Sequence, residues 1–124
     1  MPAPIPPEKM ADYREGARQR RERRRLALEA RHAKAWRLAA EGAEILKREF
    51  GAGRVVAFGS IVVPGHFHQR SDVDLITWGV AENLYLNAVA RLLSLDREIS
   101  VDLIRAEEAP SALLTTAERE GVTI

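Results

Sequence analysis

From Glu8 to Phe50 the chain runs without a proline and is dominated by Ala, Arg, Glu and Leu, all good helix formers. Gly16 and Gly42 are its only weak points, so one long helix or two collinear ones are expected there, closed by Gly51 and Gly53. Its second half places Ala33, Trp36, Ala40, Ala43, Leu46 and Phe50 near the i, i+3, i+4, i+7 spacing that packs one helical face on a core. Its first half, around Arg18 to Arg25, has no such stripe and is expected to project beyond the domain. Before it, residues 1–7 hold four prolines, each lacking a backbone donor and fixing φ, and are expected to form a disordered tail.

The remainder alternates short apolar runs with turn signals. Arg54 to Phe58 reads as a buried strand ending at Gly59-Ser60. Pro64 and Gly65 break the chain, and His66 to Ser71 form a polar loop. Asp72 to Trp78 reads as a second strand, and Leu84 to Leu95 as a helix capped by Asn83, with Leu84, Leu86, Val89, Leu92 and Leu93 as its packed face. Glu98 to Ile104 reads as a third strand. Ser111 is a candidate cap for a last short helix, and Val122 to Ile124 a terminal extended segment. This order predicts an α/β fold: one small mixed sheet of three or four strands, flanked by helices, with a long N-terminal helix. A chain of 124 residues fits one core. The expected division is a tail (1–7), a basic helical extension (8–37) and a globular domain (38–124).

Charge narrows the chemistry. Residues 1–50 carry 13 Lys/Arg against 8 Asp/Glu, whereas residues 51–124 carry 6 against 10. An acidic half that binds an anionic substrate needs divalent cations, while a basic arm suits an acidic partner or a phosphate backbone. The absence of cysteine excludes disulfides, thiolate zinc sites and thiol nucleophiles. The N-terminus lacks the pattern of a signal peptide and no apolar run is long enough to span a bilayer, so a cytoplasmic protein without membrane contact is expected.

In the second strand Asp72 and Asp74 point to one face, and Val73 and Leu75 to the other. Adjacent carboxylates repel, and hard Mg²⁺ or Mn²⁺ matches such an all-oxygen set. In the third strand Ile99, Val101 and Leu103 share one face and leave Asp102 on the other. If the two strands are neighbours, three carboxylates converge as two-metal phosphoryl or nucleotidyl transfer requires; otherwise Asp102 is an edge residue in water. Gly59 lets a backbone approach a phosphate, and the Ser60 hydroxyl can donate to one.

Val56-Ala-Phe-Gly-Ser-Ile-Val-Val-Pro-Gly65, followed by Arg70-Ser-Asp-Val-Asp-Leu75, resembles the minimal nucleotidyltransferases of the DNA polymerase beta-like superfamily. Their pattern is Gly-Ser, roughly ten residues, then Ser-Asp-x-Asp-Leu. The resemblance covers residues 38 to 124, including Asp102 and the closing Glu120-Gly-Val-Thr-Ile124. It implies transfer of a nucleoside monophosphate, AMP from ATP, to a hydroxyl or phosphate acceptor. Asp72 and Asp74 would bind both metals, Asp102 would bind one and help activate the acceptor, and Gly59, Ser60, Arg70 and Ser71 would contact the nucleotide. Many members are antitoxins encoded beside a helical HEPN ribonuclease, some adding AMP to a tyrosine of that partner, so a HEPN-like toxin is the implied partner. Two departures stand out: Val63-Pro64-Gly65 replaces the common Ala-Arg-Gly, removing a basic residue, and the loop to Asp72 is about one residue longer.

Several residues keep two readings. His66 and His68 are either solvent-exposed or contacts for metal, nucleotide or acceptor. Arg70 either lies on the surface or replaces the missing arginine. Trp36 and Trp78 read as core or interface aromatics. The arginines from Arg18 to Arg25 wind around more than one turn, giving a solvated helix, a dock for an acidic partner or, third, a nucleic-acid contact, since no aromatics are interleaved to stack on bases. Tyr13 is a conceivable acceptor. The rival functions are a small-molecule nucleotidyltransferase, like the aminoglycoside-modifying relatives, and a binding module that neutralises its partner by contact alone.

Overall fold

The computed structural model describes residues 4–124, so residues 1–3 of the expected tail lie outside the described residues. Pro4 to Pro6 carry no regular structure, and Pro7 opens the first helix, α1 (Pro7–Phe50), at a position whose amide needs no intrahelical partner. This single helix of 44 residues is about 66 Å long. Gly51, at φ 72°, ends it and donates its amide to the Leu46 carbonyl.

β1 (Arg54–Phe58), β2 (Val73–Trp78), β3 (Val101–Arg105) and β4 (Val122–Thr123) form one mixed sheet in the order β3-β2-β1-β4. β1 runs antiparallel to β2 and β4, and β2 parallel to β3. Strand alternation divides the core. Val55, Ala57, Val73, Leu75, Val101 and Leu103 face one way, against α1 and α2 (Tyr85–Leu93). Val56, Phe58 and Ile76 face the other way, where Ala117, Leu113 and Leu114 of α3 (Ser111–Glu120) cover part of the sheet. The last residues are sewn on by β4 and by Ile124, whose amide donates to the Val55 carbonyl at 3.0 Å.

The buried face of α1 differs from the expected stripe. Ala33 and Ala40 are exposed, and the core side is Ala35, Leu38, Ala39, Gly42, Ala43, Ile45 and Leu46. Alanines line most of this helix, so spacing alone could not locate the face; the close approach to β2 did. A Cβ on Gly42 would stand 3.3 Å from Leu75 Cδ1, and small residues allow that approach. Asn83 is not a cap either. It lies in a 3₁₀ turn, Glu82–Leu84, and α2 starts at Tyr85 without a side-chain cap. Leu86 and Leu93 are exposed, leaving Ala88 and Leu92 as the buried contacts of α2. Ser111 is the first residue of α3, and Pro110 precedes it as the cap position.

The Tyr85 hydroxyl donates to the Leu103 carbonyl at 2.6 Å, fixing α2 to the edge strand β3. Tyr85→Phe should lower stability by about 1 kcal/mol, measured as a reduced urea midpoint at constant m-value.

Candidate active site

β1 ends at Phe58, which pairs with Asp74, and the chain then turns through a 3₁₀ segment, Gly59–Ile61. Gly59 has φ +77°, and a Cβ there would lie 2.7 Å from Asp74 Oδ2. Glycine is thus required twice, by backbone conformation and by the adjacent carboxylate. Ser60 is half-buried, and its hydroxyl has no hydrogen-bond partner among the described residues.

Parallel pairing of β2 with β3 sets Asp74 directly beside Asp102. The alternative left open by the sequence is thereby decided: the two strands are neighbours. Asp72 begins the same edge, and its Oδ1 accepts the Ser100 amide at 3.2 Å. Asp102 is exposed and accepts the Ser100 hydroxyl at 2.8 Å. Asp74, half-buried, has its pKa pushed up to about 6, first by desolvation and then by the charges of Asp102 and Asp72. A cluster in which carboxylates hinder one another's ionisation is one that a cation would relieve. Among the described residues, no group of three or more His, Asp or Glu side chains is already arranged to hold a metal ion. Ser100 engages both outer aspartates, so convergence on an ion needs those side chains to turn. The donor chemistry nevertheless fits a hard divalent cation, since all three groups are carboxylates at one end of the sheet.

The other expected nucleotide contacts are placed differently. Ser71 is buried, and its Oγ accepts the His68 amide at 2.9 Å, which closes the loop before β2. Arg70 is exposed, and its amide donates to His68 Nδ1 at 3.1 Å. His66 and His68 are both exposed. Trp78 stacks under the Arg54 guanidinium at 4.5 Å, and Trp36 packs partly against the main core.

Two features of α1 were not singled out from sequence. Arg31 Nη2 donates to the Ser71 carbonyl at 2.9 Å and stands 3.9 Å from Asp72 Oδ1, while its buried Nε has no partner. Next to it, His32 Nε2 donates to the Ile61 carbonyl at 2.8 Å and stacks on Phe67 with ring centroids 4.6 Å apart. No local sequence signal marks either contact, since the face that carries Arg31 shows only through the burial of Ala35 one turn later. Beside these contacts His32, Trp36, Val62, Val63, Pro64 and Phe67 line a cleft of about 680 Å³. Val63 and Pro64, which stand where the resembled family has a basic residue, thus face an apolar cleft.

No family model and no curated protein matches the chain. Among solved structures, it is similar to two mutant forms of the toxin-antitoxin MntA-HpeT. One is 19% identical, with 68% of this chain and 69% of that chain covered and a TM-score of 0.56. The other is 17% identical, with 74% and 70% covered and a TM-score of 0.50. The chain has the nucleotidyltransferase fold. At these identities the likeness to MntA-HpeT is one of fold. No helix among the described residues is long and apolar enough to cross a membrane.

Proposed function

We propose that the chain is a nucleotidyltransferase of the antitoxin type, which transfers AMP from ATP to a hydroxyl of a helical, HEPN-like toxin partner. The observation that carries this reading is the pairing of Asp74 with Asp102 on adjacent parallel strands, beside a Gly59 that leaves the approach to Asp74 open. Support comes from the Gly-Ser and Asp-x-Asp spacing, and from the fold shared with a toxin-antitoxin structure.

In this reading the backbone at Gly59 and the Ser60 hydroxyl cradle the phosphates, and Asp72, Asp74 and Asp102 would hold Mg²⁺ or Mn²⁺, which would supply charge neutralisation. Asp102, the most exposed of the three, takes the proton of the acceptor hydroxyl. The acceptor oxygen bonds to the α-phosphorus, the bond to the α,β-bridging oxygen breaks, and pyrophosphate leaves with that electron pair. Asp72 keeps its place through the Ser100 amide and the nearby Arg31 guanidinium. Arg70 and Ser71 were expected at the nucleotide. Ser71 Oγ accepts the His68 amide and so shapes the loop while keeping its own O–H to donate, and exposed Arg70 remains available to the phosphates.

A second reading is favoured by the apolar Val63-Pro64 lining: a binding module that holds its partner without chemistry. Purified protein with Mg²⁺, NTPs labelled at the α-phosphate and source lysate separates the two. The enzyme gives a labelled protein band, strongest with ATP, that disappears for Asp72→Ala/Asp74→Ala. A partner retained on the chain without any label in protein or small molecule would overturn the enzyme reading.

A further inference from the structure

The outer part of α1, residues 7–30, extends for about 36 Å from the end of the sheet at which Arg31 and His32 meet the loops of the candidate site. Its arginines divide into two sets. Arg18 pairs with Glu15, and Arg25 with Glu22 and Glu29, so these cations are neutralised on their own helix. Arg20, Arg23 and Arg24 make no ion pair among the described residues. Arg20, Arg24 and Arg31 are separated by four and seven residues, which puts them on one face, and Tyr13, seven residues before Arg20, shares it. Tyr13 is 61% exposed.

This face continues into the site. One hollow is lined by Arg20, Arg23, Arg24 and Ala27, and the next by Arg24, Ala27, Leu28, Arg31, His68 and Gln69. The second ends at the loop that Arg31 ties down through the Ser71 carbonyl, one residue before Asp72. Arg20 and Arg24, unpaired beside an exposed tyrosine and with Ala27 and Leu28 between them and the site, have the composition of a protein-docking surface, while Arg31 at the inner end is engaged by the Ser71 carbonyl and Asp72. The surroundings select against a polyphosphate backbone. Over residues 7–30 the balance is only eight Lys/Arg against five Asp/Glu, and Glu29 and Glu98 flank the inner end of the track. Discrete carboxylates on a helix can pair with the arginines while avoiding those glutamates.

The geometry points to Tyr13, Arg20 and Arg24 as a docking track for an acidic helix of a partner protein, which leads that partner's surface toward Arg31 and the end of the sheet carrying Asp72. The track rests on the reading that the chain acts on a protein, yet binding along it is independent of catalysis. The test uses the full chain and a fluorescent helical peptide with glutamate at i and i+4, followed by anisotropy at low and at physiological salt. Wild type should bind it, and Arg20→Ala/Arg24→Ala should weaken binding at least tenfold. Arg18→Ala/Arg25→Ala, which removes the same number of cations from the opposite face, should change it less than threefold, with circular dichroism confirming that both variants keep the helix. Equal losses in the two variants would overturn the track, as would preference for a single-stranded oligonucleotide of matched charge over the peptide. Failure of nucleotidyl transfer with peptide binding intact would count against the proposed function and leave the track standing.

Discussion

Asp74→Asn should move activity and stability in opposite directions. Asp74 touches Gly59 on one side and pairs with Asp102 on the other, so in the proposed enzyme it belongs to both halves of the site. Losing its charge should lower label transfer on the order of 10³-fold, since a carboxylate that holds catalytic charge in place contributes several kcal/mol at the transition state. Stability should respond with the other sign. The folded protein holds the Asp74 pKa at about 6, above its ordinary 3.8, through desolvation and then the charges of Asp102 and Asp72. A raised carboxyl pKa favours the neutral form in the folded state, so wild type loses stability from this group as pH rises from about 4 through 6. The loss is complete above that window and absent below it. Asn stays neutral throughout. In chelator at pH 7 the variant should therefore be more stable than wild type, by roughly 1 kcal/mol once solvent screening of a half-exposed carboxylate is allowed for. The difference should vanish near pH 3.5. Thermal melts across pH with and without Mg²⁺ check this, and Mg²⁺ should stabilise wild type more than Asp74→Asn. A variant less stable than wild type at pH 7 in chelator would show that Asp74 is not under electrostatic strain.

Gly59→Ala should lose activity about a hundredfold and stability by roughly 2 kcal/mol. The φ of +77° costs an L-residue about 1–2 kcal/mol, and the new methyl would meet Asp74 Oδ2 at 2.7 Å. The carboxylate and the turn must separate, and both are parts that the proposed phosphate grip needs at fixed positions. Urea unfolding and the same label-transfer assay provide the measurements. Gly65→Ala is the comparison: φ is +78° there too, but no atom lies within 4 Å of the added carbon, so its stability cost should resemble the backbone component alone and activity should persist. Equal activity losses in the two variants would mean that backbone strain, not contact with Asp74, governs the site.

The four strands and three helices were legible because the signals are local. Proline exclusion and helix-forming composition mark α1 whatever it packs on, and Gly51 marks its end. Alternation marks β2 and β3, and it also placed Asp72 and Asp74 opposite Val73 and Leu75, as the burial of the two valine and leucine side chains bears out. What was missed is relational. Asn83 and Ser111 have the chemistry of caps, yet the 3₁₀ turn before α2 and Pro110 before α3 take those positions.

Sequence by itself determined the order of elements, the single long helix, the turn at Gly59-Ser60 and the supply of three aspartates near strand starts, because composition, two- and 3.6-residue periods and turn chemistry act over a few residues. Tertiary structure decided the rest: that Asp74 stands beside Asp102, that Ala35, Leu38 and Gly42 form the buried face of α1, and that Arg31 reaches back to Ser71 and Asp72. These depend on strand register and on how closely a helix approaches a sheet, which are fixed by packing between residues tens of positions apart and have no local signature.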